Sequence, residues 1–474
     1  MAPPRQHARL RDITPLIESL RKSSGAPGLA IGVIHRGKIV HEQYVGYRDV
    51  ENKAPVDENT LFYVASLNKS MTATCVGILV EDGELGWDTP IHDILPELSK
   101  DSPLCLAKLN VADVLSHRTG KAWADALYLE SGNRILLPRK QSIPIINHIP
   151  QVAPVRSKYM YNNHMYNLAG LVIERSNAAL PYNILSNREP WELPQCNASS
   201  ETMMFAGQSV RTSMAELLQY ATAYFEAAEK ISPHSDGKDK APDGHKSPLM
   251  QIEGILQPHI CRRVPGALLE QTYGLGWNRT QLPGSLDFGW KSSLVDDFPR
   301  LGEKTGTAVV VLQNSLGLCD VADLVSQAVV DTLMVGKPMR DYLDLANRCA
   351  AKSVLRMDEV EAKLEQEGIL NTKPRELEAY VGRYMNSAGN WFIDICISES
   401  EGLQLRVLGL EEETYELRHY HYDTFAWNQS YDEMVKRAQY IRAGQKDCAG
   451  ITQLRWRHDR TVPEGEVFQR LNEA

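Results

Sequence analysis

Residues 62–83 of the chain read FYVASLNKSMTATCVGILVEDG, and this stretch decides the fold. Its run of apolar residues, closed by Asp82-Gly83, predicts a helix that begins near Ser66. Ser66 and Lys69 match the pattern S-x-x-K, and because positions i and i+3 share one face of a helix, the amine can reach the hydroxyl. A serine hydroxyl is a weak nucleophile until a neighbour accepts its proton, and lysine does so only when burial or nearby charge lowers its pKa. The stretch therefore predicts a nucleophile and its base.

The burial that Lys69 needs is expected from the apolar residues of the same helix. Five of them share one face: Leu67, Met71, Cys75, Ile78 and Leu79. The S-x-x-K pattern alone is weak, since residues 19–22 and 235–238 match it as well. The competing interpretation of Ser66 is a helix-capping serine beside a solvated lysine. Ser66 is favoured because it alone among the three serines opens a strongly apolar helix.

A second candidate is the run Tyr161-Asn162-Asn163. The tyrosine, as phenol or phenolate, could pass protons between the serine and a leaving group. We expect Asn163 to orient the lysine and to hold a substrate carbonyl. The competing interpretation is a loop tyrosine followed by turn-forming asparagines, and Tyr384-Met385-Asn386 shows how easily the pattern arises.

Composition excludes several classes of protein. The 474 residues carry 60 acidic and 51 basic side chains, a net charge of −9, which argues against nucleic acid as a partner. No segment approaches the roughly 18 apolar residues of a membrane span, and the first residues lack the apolar core of an export signal. The eight cysteines are scattered without a CxxC pair, so neither a zinc site nor a disulfide framework is expected. We expect a cytoplasmic protein without a metal or a membrane partner.

The chain divides into an α/β part and a β part. Residues 29–35 and 38–44 predict a hairpin, strands are expected at 272–277 and 307–313, and a helix at 320–335 ends a first domain of residues 1–339. Residues 340–374 are helical and charged, and we interpret them as a connector. From residue 375 to 474, apolar and polar residues alternate with a period of two, which predicts a separate domain of antiparallel strands.

The motifs resemble those of a known family. Residues 62–85, VADVLSHRTG at 111–120, Tyr161 to Glu174 and YGLGW at 273–277 occur in the order seen in class C β-lactamases, D-alanyl-D-alanine carboxypeptidases and related esterases, the S12-type serine hydrolases. The likeness covers about residues 25–335. The β-rich tail is similar to the lipocalin-like C-terminal domains of some members.

The resemblance implies a fold and a chemistry. The fold would be a β-lactamase/transpeptidase-like sandwich, an antiparallel sheet flanked by helices plus a helical region, followed by an antiparallel β-barrel. Ser66 would form an acyl-enzyme with a small-molecule ester or amide, and Lys69 and Tyr161 would handle the protons. The backbone N–H of Ser66 and one from a sheet-edge strand would form the oxyanion hole. No metal or organic cofactor is implied. The turn containing His117 would be structural.

The sequence departs from the family at a third motif, Lys or His followed by Thr, Ser or Gly and then Gly. Here Lys304-Thr305-Gly306 runs directly into the strand predicted at 307–313, and residues 278–303 look too short and irregular to hold the strand that should precede it. Either this is the third motif in compressed form, which would add a substrate-binding surface, or it is a chance match. We favour chance, which predicts a gap in the sheet and a weakened oxyanion hole.

Two functions follow from these alternatives. The first is hydrolysis or acyl transfer through Ser66; the run LQNSLG at 312–317 and the barrel resemble fungal members, where small-ester or natural-product chemistry in secondary metabolism is plausible. The second is an impaired or inactive relative with a binding or scaffolding role. His419 and His421 form a possible metal pair on one strand, but we interpret them as barrel residues because no third ligand is apparent. The sequence does not indicate an oligomeric state.

Overall fold

The computed structural model describes most of the chain, with gaps. The described residues are 4–35, 37–95, 98, 109–130, 134–169, 182–184, 190–192, 202–208, 210–231, 249, 251–262, 271–281, 288–291, 298–302, 307–427, 429–436, 445–449, 452–459 and 461–471.

The helices and strands of these residues are numbered in chain order. The α-helices are α1 Pro4–Asp12, α2 Thr14–Ser24, α3 Asn68–Glu81, α4 Ile91–Ile94, α5 Val111–Leu115, α6 Ser142–His148, α7 Asn163–Ala169, α8 Phe205–Gln208, α9 Met214–Ile231, α10 Ile252–Leu256, α11 Val321–Val335, α12 Tyr342–Glu367 and α13 Tyr431–Lys436. The strands are β1 Gly28–His35, β2 Lys38–Asp49, β3 Ala54–Pro55, β4 Phe62–Tyr63, β5 Leu129–Glu130, β6 Arg134–Ile135, β7 Tyr182–Ile184, β8 Pro190–Glu192, β9 Arg211–Thr212, β10 Ile260–Cys261, β11 Gln271–Tyr273, β12 Asn278–Gln281, β13 Phe288–Lys291, β14 Phe298–Gly302, β15 Thr307–Gln313, β16 Ser315–Leu316, β17 Gly382–Asn386, β18 Phe392–Ile397, β19 Leu403–Val407, β20 Thr414–His421, β21 Thr424–Trp427, β22 Gln445–Ala449, β23 Gln453–Trp456 and β24 Glu466–Arg470.

The first part of the chain is built on one antiparallel sheet. Within the described ranges its strand order is β10-β11-β12-β13-β14-β15-β1-β2-β3. Strand β1 is buried along almost its whole length, because α2 and α11 cover one face of the sheet and α9 covers the other. A β-carbon at Gly32 would lie 2.6 Å from the sulfur of Met214, so α9 packs directly on the backbone of β1. The predicted sandwich is confirmed, as are the hairpin of β1 and β2 and the helix that begins after Asp320.

The segment from residue 278 to 303 is more regular than the sequence suggested. Strands β12, β13 and β14 lie in it, each paired antiparallel with the next, and β14 pairs with β15. The expectation of an irregular segment and a gapped sheet was therefore wrong: backbone pairing builds strands there although no alternating pattern marks them. Lys304, Thr305 and Gly306 lie outside the described residues, so both interpretations of that motif stay predictions.

Helix α12 does more than connect two domains. Tyr342 and Ala346 on it are buried in the same apolar cluster as Ile17 and Leu20 of α2. The hydroxyl of Ser23 also donates a hydrogen bond to Asn347 at 2.6 Å. The helix predicted as a connector therefore extends the layer that covers the sheet; the domain boundaries themselves stay predictions.

The C-terminal strands β17 to β24 form a closed antiparallel barrel in the described residues. Strand β19 illustrates how these strands form a barrel wall with one buried face. Its buried and half-buried residues alternate, as the period of two predicted. The barrel is confirmed, while its likeness to lipocalins stays a prediction. Its apolar interior is continuous with a cluster that includes Leu127, Tyr128 and Ile135 of the first part of the chain. No helix in the described residues is both long and apolar enough to cross a membrane.

Candidate active site

Ser66 lies in a strained turn before α3. Strand β4 pairs with β9, and the chain then passes through Ala65, whose φ is +42°. Such a left-handed residue costs roughly 1–2 kcal/mol when it is not glycine. A short 3-10 helix, Ala65–Leu67, follows and leads into α3. The turn leaves Ser66 only 9% exposed at the start of the helix.

Two side chains reach the oxygen of Ser66. The Nζ of Lys69 lies 2.9 Å from Oγ, and the hydroxyl of Tyr161 donates a hydrogen bond to it at 2.7 Å. Lys69 also donates to the backbone carbonyl of Gly207 at 3.1 Å. The structure thus brings together the three residues proposed as catalytic, and adds Gly207, for which the sequence offers no signal.

Burial sets the protonation states of these groups. Lys69 is 1% exposed, and desolvation lowers its pKa to about 7 although the charge of Asp125 acts in the opposite direction. Desolvation also raises the pKa of Tyr161 well above its usual value, against the effect of its hydrogen bond with Ser66. Near neutral pH the site therefore holds a phenol, not a phenolate, beside an amine that is neutral in a large fraction of molecules.

The buried face of α3 is mixed, since polar residues are buried there beside Ala73 and Val76. Leu79 and Cys75 are exposed and Met71 is half-buried, whereas Lys69, Ser70, Thr72 and Thr74 are buried. Hydrogen bonds make this possible: Thr72 donates to the carbonyl of Ala206 at 2.7 Å and Ser70 to that of Leu67 at 2.8 Å. A neighbouring helix contributes to the surroundings of Lys69, because the carbonyl of Gly207 in α8 accepts its hydrogen bond. Burial of Lys69 by the apolar residues of its own helix stays a prediction.

Asn163 contacts Asp125 instead of the lysine. Its Nδ2 donates to Oδ2 of Asp125 at 2.8 Å, and both side chains are buried. Within the described part of the chain, Asn163 forms no hydrogen bond with Lys69, so the expected direct contact is not formed. Asp125 was missed because no motif marks it in the region between residues 118 and 160.

The YGLGW motif packs the sheet edge against the serine-bearing helix. Strand β11 ends at Tyr273, and the N–H of Gly274 closes a turn onto the carbonyl of Trp277 at 2.8 Å. Most of the strand predicted at 272–277 is therefore the hairpin turn between β11 and β12. Gly276 has φ +77°, and a β-carbon there would lie 2.7 Å from the carbonyl oxygen of Lys69. Only glycine allows both this backbone conformation and this approach.

The turn containing His117 supports the site from behind. His117 has φ +57°, and its Nδ1 accepts from the N–H of Asn162 at 3.1 Å. Burial, with Lys69 and Arg262 nearby, lowers its pKa well below the usual value, so the ring is neutral. Ser116 donates to the carbonyl of Ala112 at 2.5 Å. These contacts are those of a structural turn next to Tyr161.

No metal centre is apparent where the structure describes side chains. No group of three possible ligands occurs among those residues, and His419 makes a hydrogen bond of 2.9 Å with the carbonyl of Tyr422. Three of the predicted substrate-binding residues, Lys304, Thr305 and Gly306, lie outside the described residues. The second N–H donor of the predicted oxyanion hole therefore stays a prediction.

The fold is that of penicillin-binding-protein-like and β-lactamase-like structures. Residues 13–193 match the family model described as Beta-lactamase. Residues 370–464 match a domain of unknown function (DUF3471), which includes most of the barrel.

Curated relatives match parts of the chain. An unguisins hydrolase of Aspergillus violaceofuscus is 32% identical over 155 residues, 31% of this chain and 27% of that protein. A mitochondrial serine β-lactamase-like protein of Homo sapiens is 38% identical over 82 residues, 17% and 15% of the two chains. A β-lactamase of Escherichia coli K12 is 37% identical over 89 residues, 19% and 22% of the chains. The matched part of the chain thus spans about a quarter or less of these relatives.

Solved structures share the fold. An octameric penicillin-binding protein homologue from Pyrococcus abyssi has a TM-score of 0.54 at 18% identity, over 98% of this chain and 99% of that chain. A class C β-lactamase has a TM-score of 0.52 at 18% identity, over 69% and 97% of the chains. The alignment with the Pyrococcus abyssi protein covers nearly the whole chain, including the barrel. The alignment with the class C β-lactamase covers about two thirds of the chain.

Proposed function

We propose that this protein is a serine hydrolase or acyltransferase that cleaves a small-molecule ester or amide through an acyl-enzyme at Ser66. The observation that carries the proposal is the pair of contacts to Oγ of Ser66, 2.9 Å from the Lys69 amine and 2.7 Å from the Tyr161 hydroxyl. A nucleophile within reach of a base whose pKa is near the working pH is the arrangement that covalent catalysis requires.

The protons can be followed through one acylation. As Oγ of Ser66 bonds to the acyl carbon, the neutral amine of Lys69 accepts the hydroxyl proton. When the bond to the leaving group breaks, the phenol of Tyr161 supplies a proton to the departing alcohol or amine. Its raised pKa keeps Tyr161 protonated for this step. The ammonium of Lys69 then returns a proton to the phenolate, and water or an alcohol releases the acyl group.

The proposed substrates are small-molecule esters and amides, although the mechanism would act on any ester or amide that reaches Ser66. The likeness to a fungal unguisins hydrolase and to β-lactamases supports hydrolysis of an amide or ester in a small molecule. We extend this to natural-product chemistry in secondary metabolism, on the resemblance to fungal members. Acyl transfer is retained because an acyl-enzyme reacts with any nucleophile that reaches it.

Covalent labelling tests the proposal directly. A fluorophosphonate probe and a penicillin probe are offered to the wild type, and p-nitrophenyl esters of several chain lengths are tested for turnover. We expect labelling and turnover that Ser66→Ala abolishes and Lys69→Ala lowers by at least about 1,000-fold. Ser19→Ala, in the S-x-x-K match at residues 19–22, is the matched control and should retain full activity, because the Ser19 hydroxyl donates to the carbonyl of Pro15 in its own helix. An added alcohol acceptor distinguishes transfer from hydrolysis by its ester product.

The competing function is a binding or scaffolding role without turnover. The sequence feature that suggests it is the position of Lys304-Thr305-Gly306 directly before β15, which differs from the third motif of the family. The strand whose absence was expected is present as β14, so only the motif itself supports this alternative. A folded wild type that neither labels nor hydrolyses any of these esters would establish this alternative and refute the enzyme.

A further inference from the structure

Ala124 is held in a strained conformation by side chains from two parts of the chain. Its φ is +48°, a left-handed value that costs alanine roughly 1–2 kcal/mol. The carboxylate of Asp459 accepts a hydrogen bond from its N–H at 2.8 Å. The Nε2 of His164 donates to its carbonyl at 3.1 Å. Strain of this kind persists where the surroundings fix the backbone, and it often occurs at functional sites.

The residue after Ala124 is Asp125, which faces the site. Its carboxylate accepts the hydrogen bond from Asn163 at 2.8 Å, and its charge acts on the amine of Lys69. Because Ala124 and Asp125 share a peptide bond, the backbone angles at Ala124 decide where this carboxylate lies.

Asp459 is itself firmly placed in the barrel. It is 3% exposed and lies between β23 and β24, where its Oδ1 accepts from the N–H and hydroxyl of Thr461 at 2.8 and 2.7 Å. Beside it, the carboxylate of Glu466 accepts from Nε2 of His148 at 2.7 Å and from Nε2 of His458 at 2.7 Å. The barrel is thus bonded to the site-bearing part of the chain both at Asp459 itself and, through Glu466, at His148.

We propose that Asp459 is a positioning residue that the C-terminal barrel contributes to the active site: it fixes Ala124, and through it places Asp125 beside Asn163 and Lys69. The inference rests on the proposed acyl-enzyme function for its kinetic consequence. It gives the barrel a role in catalysis without contact between the barrel and the reacting atoms.

The experiment compares Asp459→Ala and Asp459→Asn with Glu464→Gln, which removes a carboxylate from an exposed position in the same loop. Amide hydrogen exchange over residues 121–127 reports whether Ala124 is held, independently of turnover. The rate of fluorophosphonate labelling at Ser66, measured from pH 5 to pH 9, reports the state of the site. Thermal unfolding of each variant shows that it is folded.

In Asp459→Ala we expect hydrogen exchange over this segment to rise about 10-fold or more, and labelling at pH 8 to fall about 10-fold. The acid limb of the pH profile should move to lower pH, because a displaced Asp125 no longer supports the charged amine of Lys69. Asp459→Asn retains an acceptor and should recover part of both effects, and Glu464→Gln should match the wild type.

Each result decides one claim. Unchanged exchange in Asp459→Ala refutes the hold on Ala124, and faster exchange with an unchanged pH profile refutes the positioning role. A wild type that never labels refutes the proposed function and, with it, the kinetic role of Asp459, while the exchange data still decide the structural contact. If Asp459→Ala does not fold, Asp459→Asn takes its place, with smaller changes in exchange and labelling expected and with wild-type values in both refuting the role of Asp459.

Discussion

The backbone of Gly276 lies against that of Lys69, so closely that a β-carbon at 276 would stand 2.7 Å from the Lys69 carbonyl oxygen and 2.8 Å from Cα of Ser70. Both contacted atoms are backbone atoms of α3, so the helix must move to admit a side chain. We expect Gly276→Ala to lower fluorophosphonate labelling of Ser66 about 100-fold, because small displacements of reacting groups are costly.

Gly83 offers a matched control for this substitution. Its φ is +78°, close to the +77° of Gly276, but nothing lies within 4 Å of a β-carbon built there. Gly83→Ala should therefore lose about 1 kcal/mol of stability from the backbone alone and label at the wild-type rate. Equal labelling of the two variants would show that close approach does not position the serine.

The pH dependence of acylation should follow Lys69. The reaction needs the neutral amine, and desolvation lowers the pKa of Lys69 to about 7. Labelling of Ser66 should therefore rise as pH increases through about 7 and then level off. At pH 5 the rate should be about 100-fold below the plateau, since each pH unit below the pKa removes a factor of about ten. A profile with its midpoint near 10, the value of an ordinary lysine, would contradict this assignment.

Tyr161 should matter for turnover through its hydroxyl. Tyr161→Phe removes the donor that lies 2.7 Å from Ser66, and we expect turnover of p-nitrophenyl esters to fall about 10²–10⁴-fold. Tyr159→Phe is the matched control, because its ring contacts the same His117 while its hydroxyl has no hydrogen-bond partner among the described residues. Equal losses in the two variants would assign Tyr161 a packing role only.

The sequence predicts the catalytic residues better than it predicts the residues that surround them. Ser66 and Lys69 are close because of helical spacing, which a local pattern can reveal. Asp125 and Gly207 reach the site only through tertiary packing, and neither stands in a motif. The packing of α3 was predicted only in part for the same reason: Thr72 and Ser70 are buried because backbone carbonyls accept their hydrogen bonds, and an apolar pattern cannot show that.

The strands differ in how strongly the sequence marks them. In β19, one face lies inside the barrel and the other does not, so alternation reveals it. Strands β12 to β14 are defined by backbone pairing in the middle of a sheet, and no period of two runs through the whole segment that contains them. Residues 278–303 were therefore predicted as irregular.

The buried charge of Lys69 should cost stability. Its pKa of about 7 in the folded protein lies below the usual 10.5, so between these pH values the unfolded chain binds a proton that the folded protein does not. Stability therefore rises with pH across this window, and the full cost is present below pH 7. We expect Lys69→Met to stabilise the protein by on the order of 2 kcal/mol at pH 6 and by less at pH 9, as measured by denaturant unfolding.

Lys22→Met is the control for this experiment, because Lys22 belongs to another S-x-x-K match and its side chain is 69% exposed. Its effect on stability should be small and should not change between pH 6 and pH 9. If Lys69→Met destabilises the protein equally at both values, the lysine is charged and satisfied in the folded state, and its role as a base is refuted.

The junction between the barrel and the rest of the chain should weaken in acid, because it depends on Glu466. Burial raises the pKa of this carboxyl, but hydrogen bonds from His148 and His458 outweigh that effect and hold it at about 2. A carboxyl whose pKa is depressed on folding contributes its full stabilisation above its ordinary pKa, near 4.5, and loses it as pH falls toward 2. We expect Glu466→Gln to cost about 1–3 kcal/mol at pH 7 and about half as much at pH 3, where the loss is under way but incomplete. Denaturant unfolding of both proteins at the two pH values measures this difference, with Glu464→Gln as the exposed neighbour that should leave stability unchanged. A constant cost at both values would mean that Glu466 acts through packing and not through its charge.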